Sequence, residues 1–154
     1  MSNKYLVGKN NRISSTAKIG KYVVIGDHVV IGDNVKIGKG VIIGDYAVIG
    51  DGARISKHSV VGSHAMVLFR TYVGKRTIIS SYARVSHDVF ICDDVYLGRH
   101  VLVNCDTHVG SRTEINDLST IGKNVYIGNH NDISCNTDIA TDSIYIDNDI
   151  VDTY

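Results

Sequence analysis

Residues 19–44 read IGKYVV, IGDHVV, IGDNVK, IGKGVI, IG, and this stretch decides the fold. Ile followed by Gly returns every six residues, at Ile19, Ile25, Ile31, Ile37 and Ile43. Followed outward in both directions, the step of six meets Ile, Leu or Val from Val7 to Ile139 without an insertion, then Tyr145 and Val151. Gly comes directly after in 13 cases, which uses 13 of the 15 Gly in the chain. Four places after the repeated residue stands Ala, Ser, Thr or Val in 21 of 24 cases, with Asn11, Asn131 and Asp149 as the exceptions. An α-helix repeats at about 3.6 residues and a half-buried strand at 2, so neither accounts for a period of six.

A triangular prism does account for it. Three hexads make one coil of about 18 residues, so the 154 residues form about eight coils in one all-β domain, 1–154, with no loop insertion. The large residue and the small one four places on point inward. Gly is expected at the bend, where side-chain room or a positive φ is required. Successive coils should pair as parallel strands about 4.8 Å apart. Stability then comes from neighbour stacking, as in other solenoids.

Composition narrows the function classes. Sixteen basic residues balance sixteen acidic ones, which argues against a nucleic-acid or membrane partner. The charge is nevertheless uneven: the first 40 residues carry seven Lys and Arg against two Asp, and Asn131 onward carries six Asp and no Lys or Arg. No apolar run is long enough to cross a bilayer, and no signal peptide opens the chain. Three Cys without paired spacing point to reduced thiols and a cytoplasmic location.

Stacking at 18 residues sorts the outward side chains by face. Face A carries Val24, Ile42, Val60, Ile78 and Tyr96 outside, and face B carries Val30, Val48, Met66, Arg84 and Leu102. Face C is basic and then aromatic: Lys18, Lys36, Arg54, Tyr72, Phe90 and His108. Two adjacent faces that are apolar outside as well as inside suit a closed cyclic trimer. The A–B corner, with His28, Tyr46, His64, Tyr82 and His100, would then lie at the threefold axis. The B–C corner of one subunit would face its neighbour's C–A corner across a cleft. On that C–A corner Lys21, Lys39, Lys57 and Lys75 form a column, with Arg76 beside the last, and stacked like charges call for an anion. Asp33 and Asp51 of the neighbour would serve Lys21 and Lys39; a phosphorylated substrate or cofactor is the alternative for Lys57, Lys75 and Arg76.

The repeat resembles the bacterial transferase hexapeptide family over essentially the whole chain. That resemblance implies a left-handed β-helix and a homotrimer. The segment Ala83-Arg84-Val85-Ser86-His87-Asp88 also resembles the His-Asp motif of family members that act on sugar nucleotides: the lipid A acyltransferases and the bacillosamine and sialic acid acetyltransferases. It implies His87 as a general base that deprotonates an amine or hydroxyl attacking a thioester, with Asp88 orienting the ring. Acetyl-coenzyme A would be the acyl donor, a sugar or sugar nucleotide the acceptor, and no metal would be needed. A backbone N–H one coil on serves the family as an oxyanion donor, which falls here on Cys105, where the family usually has Gly. Other departures are the absence of a long loop, of a Gly-Val-Pro-Ala type segment and of a terminal helix, together with the acidic tail.

Two rival readings remain. A γ-class carbonic anhydrase shares the fold and binds zinc between subunits; His64, His100 and Cys105 lie near such a layout. A non-catalytic trimeric spacer or interaction protein would also use an uninterrupted prism.

Overall fold

The computed structural model describes residues 5–153. Two-residue strands recur every six residues from Leu6–Val7 to Asp138–Ile139, followed by Ser143–Ile146 and Asp149–Thr153. They stack into three sheets whose order follows the chain; up to Ser143–Ile146 each strand pairs in parallel with the strand 18 residues away, as in Val60↔Ile78, Met66↔Arg84 and Tyr72↔Phe90. This is an all-β parallel solenoid of about eight turns. It has no helix among the described residues, and its three parallel sheets are consistent with a left-handed β-helix.

The inward and outward residues alternate as the repeat requires. Ile25, Ile43, Val61, Ile79 and Leu97 are buried on face A, and the equivalent residues of faces B and C are buried with them. The small residues four places on fill the remaining space. At three of the polar ones the hydroxyl donates to a carbonyl of the next coil: Ser59 to Gly74 at 2.6 Å, Thr71 to Ser86 at 2.7 Å, Thr113 to Gly128 at 3.0 Å; the buried Ser143 hydroxyl, beside the terminal hairpin, makes no such bond. Those bonds remove the cost of burying a polar group.

The corners separate the two roles expected of Gly. The left-handed conformation falls not on the Gly directly after the repeated residue but two places further on, where His28, Tyr46, His64, Arg70, Asp88 and His100 have φ between 56° and 60°. At that position only Gly40 and Gly52 are Gly. The Gly directly after the repeated residue serves close approach instead: a Cβ on Gly62 would sit 2.5 Å from the Ser81 nitrogen of the next coil.

The far end departs from the repeat. The sixfold step continues to Val151, yet the backbone of Asp149–Thr153 runs antiparallel to Ser143–Ile146 instead of adding a coil strand. Asp147 and Asn148, with φ of 52° and 62°, form the two-residue turn that a hairpin favours. The hairpin becomes the edge strand of face C. The side chain of Val151 lies outside the described residues.

Candidate functional site at the B–C corner

His87 and Asp88 sit together at the B–C corner. Asp88 takes a left-handed φ of 56°, which turns its carboxylate back beside the preceding ring. The His87 Nδ1 lies 3.0 Å from Asp88 Oδ2, so the adjacent residues do touch. With the Nδ1 proton held by the carboxylate, Nε2 is the nitrogen left with a lone pair. The side chains are 38% and 30% exposed, which leaves the ring reachable from outside.

The coil before supplies two residues that the motif did not include. Phe69 stacks beneath the His87 ring, with centroids 4.7 Å apart and planes 9° from parallel. Arg70 grips Asp88 through two bonds, Nε to Oδ1 at 2.7 Å and Nη2 to Oδ2 at 2.6 Å. Both stand 18 residues before His87 and Asp88, so the coil arithmetic that located Cys105 could have found them. Arg70 first, and His87 second, hold the Asp88 carboxyl far below the usual carboxylate range. An open hollow of about 620 Å³ over face B ends against Phe69 and Arg70.

Cys105 lies one coil beyond His87 on the same corner. At the equivalent position of the three corners the backbone N–H of Asp27, Asp33, Lys75 and Arg99 donates to a side chain one coil further on: Asp45, Asp51, Asp93 and Asp117. The residue one coil beyond Cys105 is Lys123, whose ammonium cannot accept a bond. Desolvation, and then the neighbouring Asp106, raise the pKa of the Cys105 thiol, which disfavours a thiolate.

The other candidates are spread over the remaining corners. Arg76 is committed to Asp94 by two bonds, Nε to Oδ1 at 2.6 Å and Nη2 to Oδ2 at 2.7 Å, which depress the Asp94 pKa. Lys57 and Lys75 line a depression of about 560 Å³ shared with Lys18, Lys36, Arg54 and Tyr72. His64 and His100 belong to the A–B column, where His28, Tyr46, His64, Tyr82 and His100 stack with centroids 4.7 to 5.1 Å apart. Tyr82 separates the two His, and Cys105 is on a different corner; no cluster of three metal-binding side chains occurs among the described residues. No helix among them is long and apolar enough to cross a membrane.

The coils and their corner site define a hexapeptide-repeat solenoid, similar in fold to hexapeptide-repeat acyltransferases. More particularly, the chain belongs to the family described as GMPPB C-terminal domain, whose model matches residues 1–108. Among solved structures it is similar to the Moraxella catarrhalis UDP-N-acetylglucosamine O-acyltransferase, at 17% identity and TM-score 0.53, covering 95% of this chain and 70% of that one. It also matches the Francisella novicida UDP-N-acetylglucosamine acyltransferase at 18% identity and TM-score 0.48, covering 92% of this chain but only 56% of that one. A third match is a histidine-to-alanine mutant of the Caulobacter crescentus GDP-perosamine N-acetyl transferase, in complex with CoA and GDP-perosamine. There identity is 20% and TM-score 0.43, covering 94% of this chain and 55% of that one. The chain thus spans little more than half the length of two of these three enzymes. A search of the curated proteins gave no match.

Proposed function

We propose that the chain is an acyltransferase that moves an acetyl group from acetyl-coenzyme A to an amine or hydroxyl of a sugar or sugar nucleotide. The observation that carries this reading is the His87–Asp88 contact at 3.0 Å on a reachable corner. His87 Nε2 would take the proton from the acceptor nitrogen or oxygen as that atom bonds to the thioester carbonyl carbon. The Cys105 N–H would face the oxygen that gains charge. When the carbon–sulfur bond breaks, the imidazolium returns its proton to the departing thiolate. Lys57 and Lys75, with the remaining N–H groups of Arg76, would attract the phosphates of the ligand.

The working unit in this reading is a homotrimer. Ile42 and Ile78 on the outer strip of face A are 47% and 43% exposed in the single chain, and the trimer would cover them. Ile42→Glu combined with Ile78→Glu should leave monomer or aggregate by light scattering.

The test of the activity is coenzyme A release over a panel of nucleotide-linked amino sugars. Turnover with one acceptor supports the reading, and no release with any acceptor defeats it. A second reading, a non-catalytic spacer, has its own observation: Arg70–Asp88 matches Arg76–Asp94 bond for bond, as a purely structural clasp would.

A further inference from the structure

The first three rungs of face C hold charge in an unfavourable arrangement. Lys18 is paired in register with Lys36, and Lys36 with Arg54. Like charges directly opposed on neighbouring strands destabilise a sheet. Lys57 and Lys75 stand along the rim of the same depression. The four ion pairs among the described residues involve Arg70, Arg76, His87 and Lys123, and none of these five cations. This protein has a ready device for neutralising a cation: an Asp placed one coil later, as for Arg70 and Arg76. On face C the rungs that follow hold Lys36, Arg54 and Tyr72 instead.

We propose that this trough binds the diphosphate group of a small phosphorylated molecule. Three successive cationic rungs extend over roughly 10 Å at the usual strand spacing. With two more cations on the rim, they exceed what one carboxylate or monophosphate neutralises, while Arg54 offers the fork suited to phosphate oxygens. The depression of about 560 Å³ is the size of a small-molecule site. At its end the Ser56 hydroxyl donates to the Tyr72 hydroxyl at 3.2 Å, which sets a neutral polar edge beside the charged rungs. A single-stranded nucleic acid is the poorer occupant. It needs open ring faces for its bases, whereas Tyr72, Phe90, His108 and Tyr126 stack on one another at 4.6, 5.5 and 5.0 Å.

The inference extends the ligand-binding part of the acyltransferase reading but not its chemistry. Binding is measured without an acyl donor, so loss of either claim leaves the other standing. The experiment is calorimetric titration and thermal melting of the full chain at low salt with inorganic pyrophosphate, UDP and uridine. Pyrophosphate and UDP should both bind and raise the melting temperature, and uridine should do neither. Lys36→Gln and Arg54→Gln should each melt slightly higher than the parent without ligand, because a like-charge contact is relieved. Each should also bind pyrophosphate at least tenfold more weakly. No binding of either phosphate overturns the proposal, as does undiminished binding by both variants. An oligothymidylate that binds more tightly than UDP, with affinity rising with its length, overturns it in favour of a nucleic-acid track.

Discussion

Two corners of the prism carry the same clasp six residues apart, and only one carries the imidazole. At the B–C corner Arg70 holds Asp88, and at the C–A corner Arg76 holds Asp94, each through two bonds of 2.6 to 2.7 Å across one coil. Before Asp88 stands His87, whose Nδ1 shares the carboxylate with Arg70. Before Asp94 stands Asp93, whose carboxylate accepts the Lys75 backbone N–H and so closes the corner on itself. The scaffold provides the clasp in both places. One residue type at the position before the acid turns a structural corner into one able to move a proton.

That contrast can be broken most sharply at His87. His87→Ala should lower kcat about a hundred- to ten-thousand-fold, the usual worth of a positioned general base. KM should change little, because the ring acts mainly in the transition state. Full turnover by this variant, with assembly intact, would make the B–C corner as structural as the C–A one.

Asp88→Asn should cost less, about tenfold in kcat, since a general base contributes more than the group that orients it. Steady-state kinetics on the intact assembly would measure it. A loss equal to that of His87→Ala would mean that the two residues act as one unit.

Arg70→Gln should lower kcat about threefold, the worth of an exposed ion pair. Asp88 would lose the two bonds that fix its carboxylate beside the His87 ring. Arg76→Gln should leave kcat in place, because Asp94 has no imidazole beside it. Equal losses of kcat in both variants would dissolve the distinction between the corners.

The smallest effect is one in which the corners should agree. Asp88 and Asp94 are both held below the ordinary carboxylate value by their Arg partners. Their contribution to stability is therefore complete above the unfolded pKa of about 3.9 and is lost as pH falls toward the folded values. Arg70→Gln and Arg76→Gln should each flatten the fall of melting temperature between about pH 4 and pH 2, and by similar amounts. Circular dichroism melts across that range would measure it.

The sixfold spacing carried nearly the whole fold. Inward Ile79 and Val85, the three faces and the coil register were all legible, because each residue's environment is set by the residues 18 before and after it. The same arithmetic put His28, Tyr46, His64, Tyr82 and His100 in one column, which the rings then form by stacking. Spacing could not tell which corner residue adopts the left-handed conformation; it could not separate room from φ, and three-dimensional contacts assign room to Gly62 and positive φ to His64. Nor could it show that Asp147-Asn148 ends the coiling, because a hairpin depends on two adjacent left-handed residues and not on a periodic one.

At the candidate site the sequence by itself determined that His87, Asp88 and Cys105 share a corner. The tertiary structure decided that Phe69 lies under the ring and that Arg70 competes with His87 for Asp88. It also decided that Arg76 is already paired while Lys36 and Arg54 have no acid partner in any ion pair among the described residues. The reason is physical. A repeat specifies where each backbone position sits, whereas partner choice among charged side chains is settled by distances of a few tenths of an ångström, and these exist only once the coils are stacked.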